Sequence, residues 1–105
     1  MAQIVWSDQA WEEYRLYLQQ SKEEFGYQTA RRFFESVSEK TKSLEKFPTI
    51  GFKEPILAER PENFRSCIIQ KRFKLIYHHV EQTDIVYIDD IWDMKRNPKT
   101  LATRL

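Results

Sequence analysis

Hydrophobic residues near the start of the chain follow first the pattern of a strand and then that of a helix. Residues 3–6 form a short apolar run that is long enough for one strand. Behind it, Trp11, Tyr14 and Leu18 recur at spacings of three and four residues, which places them on one face of a helix. Ser7 precedes this pattern and can act as the N-cap, because its hydroxyl can accept from an amide of the first turn. We therefore expect a strand followed by a first helix.

A second and longer helical pattern covers residues 27–45, after a break at Gly26. Its apolar positions again keep helical spacing: Ala30, Phe33, Phe34, Val37, Thr41 and Leu44. Phe47-Pro48 ends the pattern, because proline disfavours helical geometry at the residue before it. The short connection between the two patterns predicts an antiparallel helical hairpin.

The second half of the chain changes to segments rich in Ile, Val, Phe and Tyr. Three such segments, at residues 64–69, 73–80 and 85–92, are separated by polar links of hairpin length. They predict a three-stranded antiparallel meander, to which the N-terminal strand can add at an edge. Residues 48–61 before it are interpreted as a connecting loop. Because each helix has a single apolar stripe, both must cover one face of the sheet, and the predicted fold class is α+β.

Length and composition indicate one folded domain over residues 1–105. Hydrophobic residues make up 41% of the chain and aromatic residues 14%, and dividing the chain would leave pieces too small to bury a core. The single cysteine, Cys67, cannot form an internal disulfide. The N-terminus lacks the pattern of a signal peptide, and no apolar run approaches the roughly 18 residues of a membrane span. We therefore expect a cytoplasmic protein that does not associate with a membrane.

The net charge of +1 conceals blocks of opposite sign. Residues 60–80 carry five basic residues against one acidic residue, a net charge of +4, and residues 95–105 carry four basic residues. Between them, residues 81–94 carry five acidic residues and no lysine or arginine. Such segregation lets a nearly neutral protein bind a polyanion or an acidic peptide locally, although solubility alone is the commoner reason for it.

Four basic residues are the candidates for a functional surface. Arg65 lies on the first strand of the meander, Lys74 on the second, and Lys95-Arg96 at the end of the third. We expect these side chains to converge at one end of the sheet. A cluster of guanidinium and ammonium groups suits phosphate binding and can stabilise negative charge that develops on a phosphodiester. A solvated polar sheet face explains the charges equally well, and the pattern does not decide between the two.

Residues typical of metal or nucleophilic chemistry are sparse. The chain has no glycine-rich phosphate loop, no metal-spaced cluster of Cys and His, and no nucleophile elbow. His78 and His79, like Asp89 and Asp90, are adjacent on a strand, so the two side chains of each pair point to opposite faces. Cys67 in mid-strand is expected to pack in the core. We therefore predict no metal and no cofactor, and the two histidines receive no role.

Short motifs that together cover nearly the whole chain follow one another in a fixed order. They are Ile4-Val5-Trp6-Ser7 with Ala10, Phe25-Gly26 with Ala30 and Phe34, Leu44-Glu45-Lys46-Phe47-Pro48 with Gly51, Phe64-Arg65, Phe73-Lys74-Leu75-Ile76-Tyr77, Ile85-Val86-Tyr87-Ile88 and Asp93-Met94-Lys95-Arg96-Asn97-Pro98. In order and spacing they resemble the RelE/ParE superfamily of type II toxin–antitoxin toxins, and in particular its ParE-like, plasmid-stabilisation branch. No single motif is specific to this branch, but their order is.

The resemblance implies the fold predicted above and a toxin as the function. It also implies a cognate antitoxin whose extended or helical segment wraps around the toxin, and either a homodimer or a toxin–antitoxin heterotetramer is compatible with it. Two activities occur in the superfamily. RelE-type members cleave mRNA in the ribosome, and ParE-type members inhibit DNA gyrase.

The C-terminal tail favours the second activity. RelE-type cleavage uses basic residues together with a C-terminal Tyr or a His–Tyr pair, and residues 97–105 contain neither Tyr nor His. The leading hypothesis is a ParE-like toxin, not an enzyme, that binds gyrase through Arg65, Lys74, Lys95 and Arg96. One alternative is a ribosome-dependent mRNA endoribonuclease, with the ribosome and mRNA as partners and with Arg65, Lys74 and Arg96 as catalytic residues. The other is an inactive binding module of the same fold.

Overall fold

The periodic segments of the sequence form the expected helices and strands, and three short elements join them. The computed structural model describes residues 1–105, and the order of elements is β1 (Gln3–Trp6), α1 (Asp8–Phe25), α2 (Tyr27–Lys46), β2 (Phe52–Lys53), a 3-10 turn (Pro55–Leu57), β3 (Arg65–Ile69), β4 (Phe73–Val80), β5 (Ile85–Asp93) and α3 (Pro98–Arg104). None of the three α-helices is both long enough and apolar enough to cross a membrane.

The five strands form one mixed sheet in the order β1-β5-β4-β3-β2. The β1 strand lies parallel to β5, with Trp6 opposite Ile88, and all other neighbours are antiparallel. The turn between β3 and β4 contains Gln70 and Lys71, which both have positive φ angles of the kind found in tight hairpin turns. The predicted meander, with the N-terminal strand at its edge, is confirmed.

Helix α1 begins and ends where the sequence indicates. Ser7 is its N-cap, and the Ser7 hydroxyl accepts a hydrogen bond from the Ala10 amide at 3.0 Å. Gly26 ends the helix with a φ of 93°, a conformation that favours glycine, and α2 starts at the next residue. Tyr14 is buried, whereas Trp11 is 53% exposed. The helical hairpin is confirmed, but Trp11 lies outside the core.

The main hydrophobic core lies between the helical hairpin and one face of the sheet, here named the hairpin face. Its buried members are Ala2, Ala10, Tyr14, Phe33, Val37, Leu44, Cys67, Ile69, Leu75, Tyr77, Val86, Ile88 and Ile91. Residues from both helices and from the three meander strands interdigitate here, and removal of this apolar surface from water is the main stabilising term of such a fold. Both predictions, that the hairpin helices share one face and that Cys67 packs in the core, are confirmed.

A short helix that the hydrophobic pattern does not indicate, α3, covers the other face of the sheet. Its N-cap is Asn97, whose side-chain oxygen accepts a hydrogen bond from the Lys99 amide, and Pro98 occupies the first turn of the helix. Leu101 is fully buried in a second apolar cluster with Leu57, Phe64, Ile76 and Trp92. The C-terminal segment is thus part of the fold. The segment expected to be a plain loop, residues 48–61, contains β2 and the 3-10 turn that supplies one member of this cluster.

A β-bulge in β5 determines where the acidic residues of that strand point. The register of β4 against β5 shifts between Ile76 and Tyr77, and Asp89 is the extra residue in β5. Asp90 points to the α3 face, where its fully buried carboxylate accepts from Arg104 Nε at 2.7 Å and from Nη2 at 3.0 Å. This two-bond ion pair fixes α3 to the sheet.

Candidate functional site

Lys74, the predicted cation of β4, lies on the α3 face and is held by a buried carboxylate. The distance from Lys74 Nζ to Glu54 Oε1 is 2.7 Å, and Ser66 Oγ donates to the same oxygen at 2.9 Å. The other carboxylate oxygen accepts from the Ile56 amide at 3.1 Å. The Glu54 side chain is 0% exposed, and that of Lys74 is 19% exposed. Lys74 therefore attaches the segment around the 3-10 turn to the sheet.

Hydrogen bonds keep the Glu54 carboxylate ionised in spite of its burial. Burial alone raises the pKa of Glu54, because it removes water from the charged form. The bonds from Lys74, from the Ile56 amide and from Ser66 act in the opposite direction and outweigh burial, so the pKa of Glu54 lies below its ordinary value of 4.5. The positive charge of Lys74 is thereby neutralised within the fold.

Arg65, the predicted cation of β3, lies opposite Tyr77 and holds the loop that follows α2. Arg65 Nη1 donates to the Gly51 carbonyl at 2.7 Å and to the Thr49 carbonyl at 3.4 Å. The Tyr77 hydroxyl donates to the Pro48 carbonyl at 2.7 Å and accepts from the Gly51 amide at 3.0 Å. Burial raises the pKa of Tyr77 to about 12. Arg65 and Tyr77 together fix the path of residues 48–51.

Lys95 and Arg96 follow β5 and lie at the surface. The Arg96 guanidinium stacks 4.3 Å from the centre of the Trp92 ring, and its Nη1 is 3.7 Å from a carboxylate oxygen of Glu13. Lys95 is exposed, and its backbone amide donates to Asp93 at 3.0 Å. The Lys95 ammonium has no ion-pair partner in the chain. Arg96 is therefore held in place, whereas Lys95 is free to contact a ligand.

The four predicted side chains do not form one cluster. Arg65 shares a face with Tyr77, which lies directly opposite on β4, and Tyr77 belongs to the hairpin-face core. Lys74 is three residues from Tyr77 and so points to the other face, where it lies opposite Trp92. Lys74 and Arg96 are thus both neighbours of Trp92, and Arg65 lies on the opposite face of the sheet from Lys74. A role of all four in target binding stays a prediction.

Two further basic residues, which were not selected from the sequence, lie beside Lys95 and Arg96. The Met94 amide donates to the Arg72 carbonyl at 2.8 Å and so joins the β3–β4 turn to the segment after β5. Arg72 Nη2 lies 3.0 Å from Asp93 Oδ2, and Lys71 is exposed. In an antiparallel meander, the turn between the first two strands and the end of the third strand lie at the same end of the sheet, and this rule predicts the proximity. Lys71, Arg72, Lys95 and Arg96 are named the paired basic turns.

His78 lies in an aromatic and acidic environment on the α3 side of the sheet. Its Nδ1 is 2.7 Å from Asp89 Oδ2, its ring stacks on Tyr87 at 5.1 Å, and Phe64 packs against it edge-on at 5.5 Å. The hydrogen bond to Asp89 raises the pKa of His78 above its ordinary 6.5, and burial opposes this effect only in part. His79 instead contacts Asp84 at 2.8 Å. The two histidines therefore belong to different faces, as predicted.

An exposed apolar surface lies on the helical hairpin. Tyr27 and Phe34 are 62% and 51% exposed, and they border a shallow depression of about 480 Å³ with Lys22 and Arg31 at its margin. The four apolar residues that line it are named the hairpin patch: Leu18, Tyr27, Ala30 and Phe34. Contiguous exposed apolar residues with a polar border mark interaction sites on soluble proteins.

One edge of the sheet is open to an additional strand. The β2 strand pairs with only Arg65 and Ser66 of β3, so residues 67–69 have no strand on that side. Ile68 is 40% exposed, and the groove between this edge and α2 is lined mainly by polar residues that include Lys40. Unpaired backbone groups on an edge strand provide a place where another polypeptide can add.

Solved structures with the same fold include bacterial toxins. The chain is 17% identical to a chain of the chromosomal ParDE TA system from P. aeruginosa, with a TM-score of 0.69 and coverage of 89% of this chain and 96% of that one. It is 13% identical to a metal-bound toxin from Helicobacter pylori, with a TM-score of 0.67 and coverage of 90% and 97%. For the YoeB/ParE toxin from Agrobacterium tumefaciens the identity is 15%, the TM-score 0.61 and the coverage 87% and 96%. At these identities the likeness is one of fold.

Comparison with curated proteins finds no match. The sequence does match a family model described as ParE toxin of type II toxin-antitoxin system, parDE, and the match spans residues 4–98. This range contains the helical hairpin and the meander, together with the predicted site residues Arg65, Lys74, Lys95 and Arg96. The α+β architecture agrees with that of the similar structures. The chain therefore belongs to the ParE toxin family of type II toxin–antitoxin systems.

Proposed function

We propose that this ParE toxin acts by binding DNA gyrase rather than by cleaving RNA. The observation that carries the proposal is that the phenol and imidazole groups nearest Arg65, Lys74 and Arg96 are buried or too distant to transfer a proton. General acid–base catalysis requires such a group within hydrogen-bond reach of the reacting atoms. A surface of cations alone can bind a target but lacks this contribution to cleavage.

The two phenols near the predicted cations are buried. The Tyr77 hydroxyl, near Arg65, is occupied by loop 48–51, and its pKa of about 12 leaves it protonated at neutral pH. The Tyr17 hydroxyl, near Arg96, is also buried, and burial raises its pKa. Neither phenol is available to a polynucleotide at the surface.

The histidine on the α3 side of the sheet, His78, is partly buried and too far away to assist. It is four residues from Lys74 on the same strand, a separation of about 13 Å at the usual rise per residue. Its neighbours Asp89 and Glu62 are acidic, and they disfavour the approach of a phosphate. The geometry therefore supports binding over cleavage.

The predicted residues divide into two roles under this proposal. Lys95 and Arg96 contact the target directly, because they lie at the surface at the end of the sheet. Arg65 and Lys74 act through the segment from residue 48 to residue 56, which they hold by hydrogen bonds to its carbonyls and to Glu54. They are positioning residues.

A supercoiling assay with purified gyrase tests the proposal. We expect excess toxin to leave a relaxed plasmid relaxed, and we expect the combined change Lys95→Gln and Arg96→Gln to weaken inhibition about tenfold or more. A matched control, Lys42→Gln with Lys46→Gln, removes the same charge from exposed positions of α2 and should inhibit like the wild type. Unaffected gyrase at high toxin excess would contradict the proposal.

Primer extension on translated mRNA separates the alternatives. Specific cuts in the ribosomal A site after toxin induction would support the ribonuclease interpretation instead. Normal growth after induction without any antitoxin, combined with active gyrase and uncut mRNA, would support the inactive binding module.

Membership in a parDE family implies a cognate antitoxin, and we infer that it covers the hairpin patch and adds a strand at the open edge of β3. The hairpin patch supplies apolar contact, and residues 67–69 supply unpaired backbone groups. Lys22 and Arg31 border the first surface, whereas Glu39 and Lys40 both border the second. An antitoxin segment that fits the hairpin patch is amphipathic and acidic.

Calorimetric titration of the toxin with its antitoxin tests this assignment. We expect Phe34→Glu to weaken binding about tenfold or more, because it places a charge in the centre of the hairpin patch. Leu16→Glu is the control, since Leu16 is an exposed apolar residue of α1 outside the patch. Equal affinities of Phe34→Glu and wild type would exclude the patch. A stable dimer of the toxin alone, disrupted by Phe34→Glu in light scattering, would mean that a second toxin copy covers it.

A further inference from the structure

The paired basic turns bring four cations to one end of the sheet from two separate segments. The bond from the Met94 amide to the Arg72 carbonyl joins the segments, and the salt bridge from Arg72 to Asp93 ties the turn to the end of β5 at 3.0 Å. Lys71 precedes Arg72, and Lys95 follows Asp93 by two residues. The arrangement is therefore fixed at the backbone, while the side-chain ends remain at the surface.

Few carboxylates neutralise these cations. The ammonium groups of Lys71 and Lys95 are exposed and have no ion-pair partner in the chain. The Arg72 and Arg96 side chains are 45% and 39% exposed. Arg72 pairs with Asp93 and has Glu24 nearby, and Arg96 has a long contact of 3.7 Å to Glu13. Glu13 is itself shared with Arg104 at 3.3 Å. The surface thus presents a local positive field on a protein whose total charge is only +1.

The composition of this surface favours a nucleic acid over a protein partner. Protein interfaces have an apolar centre that loses water, with Tyr, Trp, Phe and Met enriched there. No large hydrophobic side chain of residues 70–72 or 94–97 is among the exposed ones. Two exposed apolar residues lie near these segments: Ile68 on β3, and Phe25, which lines a depression together with Gln70 and Arg72. The others lie at the start of the chain, on the hairpin and in the segment after α2: Met1, Trp11, Leu16, Tyr27, Phe34, Phe47, Ile50, Phe52 and Ile56. A surface in which positive charge exceeds apolar contact is typical of binding to a phosphate backbone.

We propose that the paired basic turns bind the phosphate backbone of duplex DNA, independently of base sequence. This inference deepens the proposed function and rests on it in one respect: the DNA contacted in the cell is the segment held by gyrase. Lys71 and Lys95 each neutralise a phosphate as mobile point charges. Arg96, supported by the Trp92 ring, offers its outer N–H groups to a third phosphate.

Fluorescence anisotropy with a labelled 30-base-pair duplex tests the proposal without gyrase. Three neutralised phosphates give a slope of log binding constant against log salt of about −2.7, or about 40-fold weaker binding at 200 mM than at 50 mM salt. The combined change Lys71→Gln and Lys95→Gln should reduce the slope to about −0.9. The charge-matched control Lys42→Gln with Lys46→Gln should keep the wild-type slope. Circular dichroism melting verifies that both variants are folded.

Three results would overturn the proposal. The first is an equal slope of log binding constant against log salt for Lys71→Gln with Lys95→Gln and for Lys42→Gln with Lys46→Gln. The second is that the toxin at about 100 µM does not bind the duplex at 50 mM salt. Tighter binding of poly-L-glutamate than of the duplex at equal ionic strength would point to an acidic polypeptide instead. Failure is distinguishable from failure of the proposed function: a toxin that inhibits gyrase but binds no free duplex refutes only the DNA contact, and the reverse result refutes only the gyrase target.

Discussion

Replacement of Lys74 by methionine removes the cation that neutralises a buried carboxylate while most of the side-chain volume is retained. Glu54 then has only the Ser66 hydroxyl and the Ile56 amide as partners. Removing one partner of a buried ion pair costs about 3–5 kcal/mol, and the two remaining donors place the expected loss at the lower end, about 3 kcal/mol. For a domain of roughly this size, such a loss lowers the melting temperature by about 10–20 °C.

The pH dependence separates this electrostatic cause from a loss of packing. In the wild type the pKa of Glu54 is lowered, so its contribution to stability is present above the ordinary pKa of 4.5 and is lost as the pH falls through the folded-state value. In Lys74→Met the hydrogen bond from Lys74, which lowers the pKa of Glu54 most, is absent. Burial should then raise the pKa of Glu54 instead. At acidic pH Glu54 in the variant is then protonated, and the free-energy cost of its unpaired buried charge disappears. The difference in unfolding free energy between wild type and Lys74→Met should therefore be large at pH 7 and should become smaller as the pH falls below about 5.

Urea denaturation followed by circular dichroism, at pH 7 and again in mild acid, measures both effects. Lys42→Met is the control, because Lys42 is exposed on α2, and its change should stay within about 0.5 kcal/mol. Adding Glu54→Gln to Lys74→Met should restore part of the loss, since no buried charge is left unpaired. A loss below about 1 kcal/mol at pH 7, or a difference that does not narrow in acid, would refute the reasoning.

Three further changes probe other contacts. Gly51→Ala places a Cβ 2.7 Å from the Ser66 carbonyl oxygen, so it should destabilise by about 1–3 kcal/mol in urea denaturation, and an unchanged midpoint would contradict it. Arg104→Gln leaves the buried Asp90 carboxylate unpaired and should cost about 3 kcal/mol, part of which Asp90→Asn in the same chain should restore. The pKa of His78 is raised in the fold, so the stabilising contribution of its positive charge is present below pH 6.5 and is lost as the pH rises through the folded-state pKa. The wild type should therefore be more stable than His78→Gln at low pH, and this advantage should shrink as the pH rises. An advantage that grows with pH would contradict the prediction.

The periodic part of the fold is predictable because burial on one face imposes a repeat that the sequence displays. The predicted second helix, residues 27–45, and the predicted strands end within one residue of those observed. Helix α3 lacks such a repeat, since Leu101 is its only buried residue and seven residues make about two turns. Its sequence signal is the Asn97-Pro98 pair, an N-cap followed by a proline in the first turn. A cap without periodicity does not show where the helix packs.

The functional surface is less predictable, because charge in a sequence does not reveal which cations are already paired. Glu54 and Lys74 are 20 residues apart, and nothing between them indicates that they meet. Arg65 likewise bonds to carbonyls of a loop 14 residues earlier. The proximity of Lys71 and Arg72 to Lys95, by contrast, follows from the predicted meander, in which alternate turns share one end of the sheet. The order of the strands therefore predicts which basic residues lie close together, whereas the residue types alone do not.

The basic residues of this toxin therefore fall into two groups that one comparison can separate. Lys74 and Arg65 are bonded within the fold, so their replacement should lower gyrase inhibition only to the extent that it lowers the folded fraction or shifts residues 48–56. Lys71 and Lys95 are unpaired at the surface, so their replacement should lower inhibition at unchanged stability. Plotting inhibition against unfolding free energy for single Gln variants of all four distinguishes the roles. Lys71 and Lys95 variants that follow the same line as Lys74 and Arg65 would mean that this end of the sheet supports the fold and makes no contact with the target.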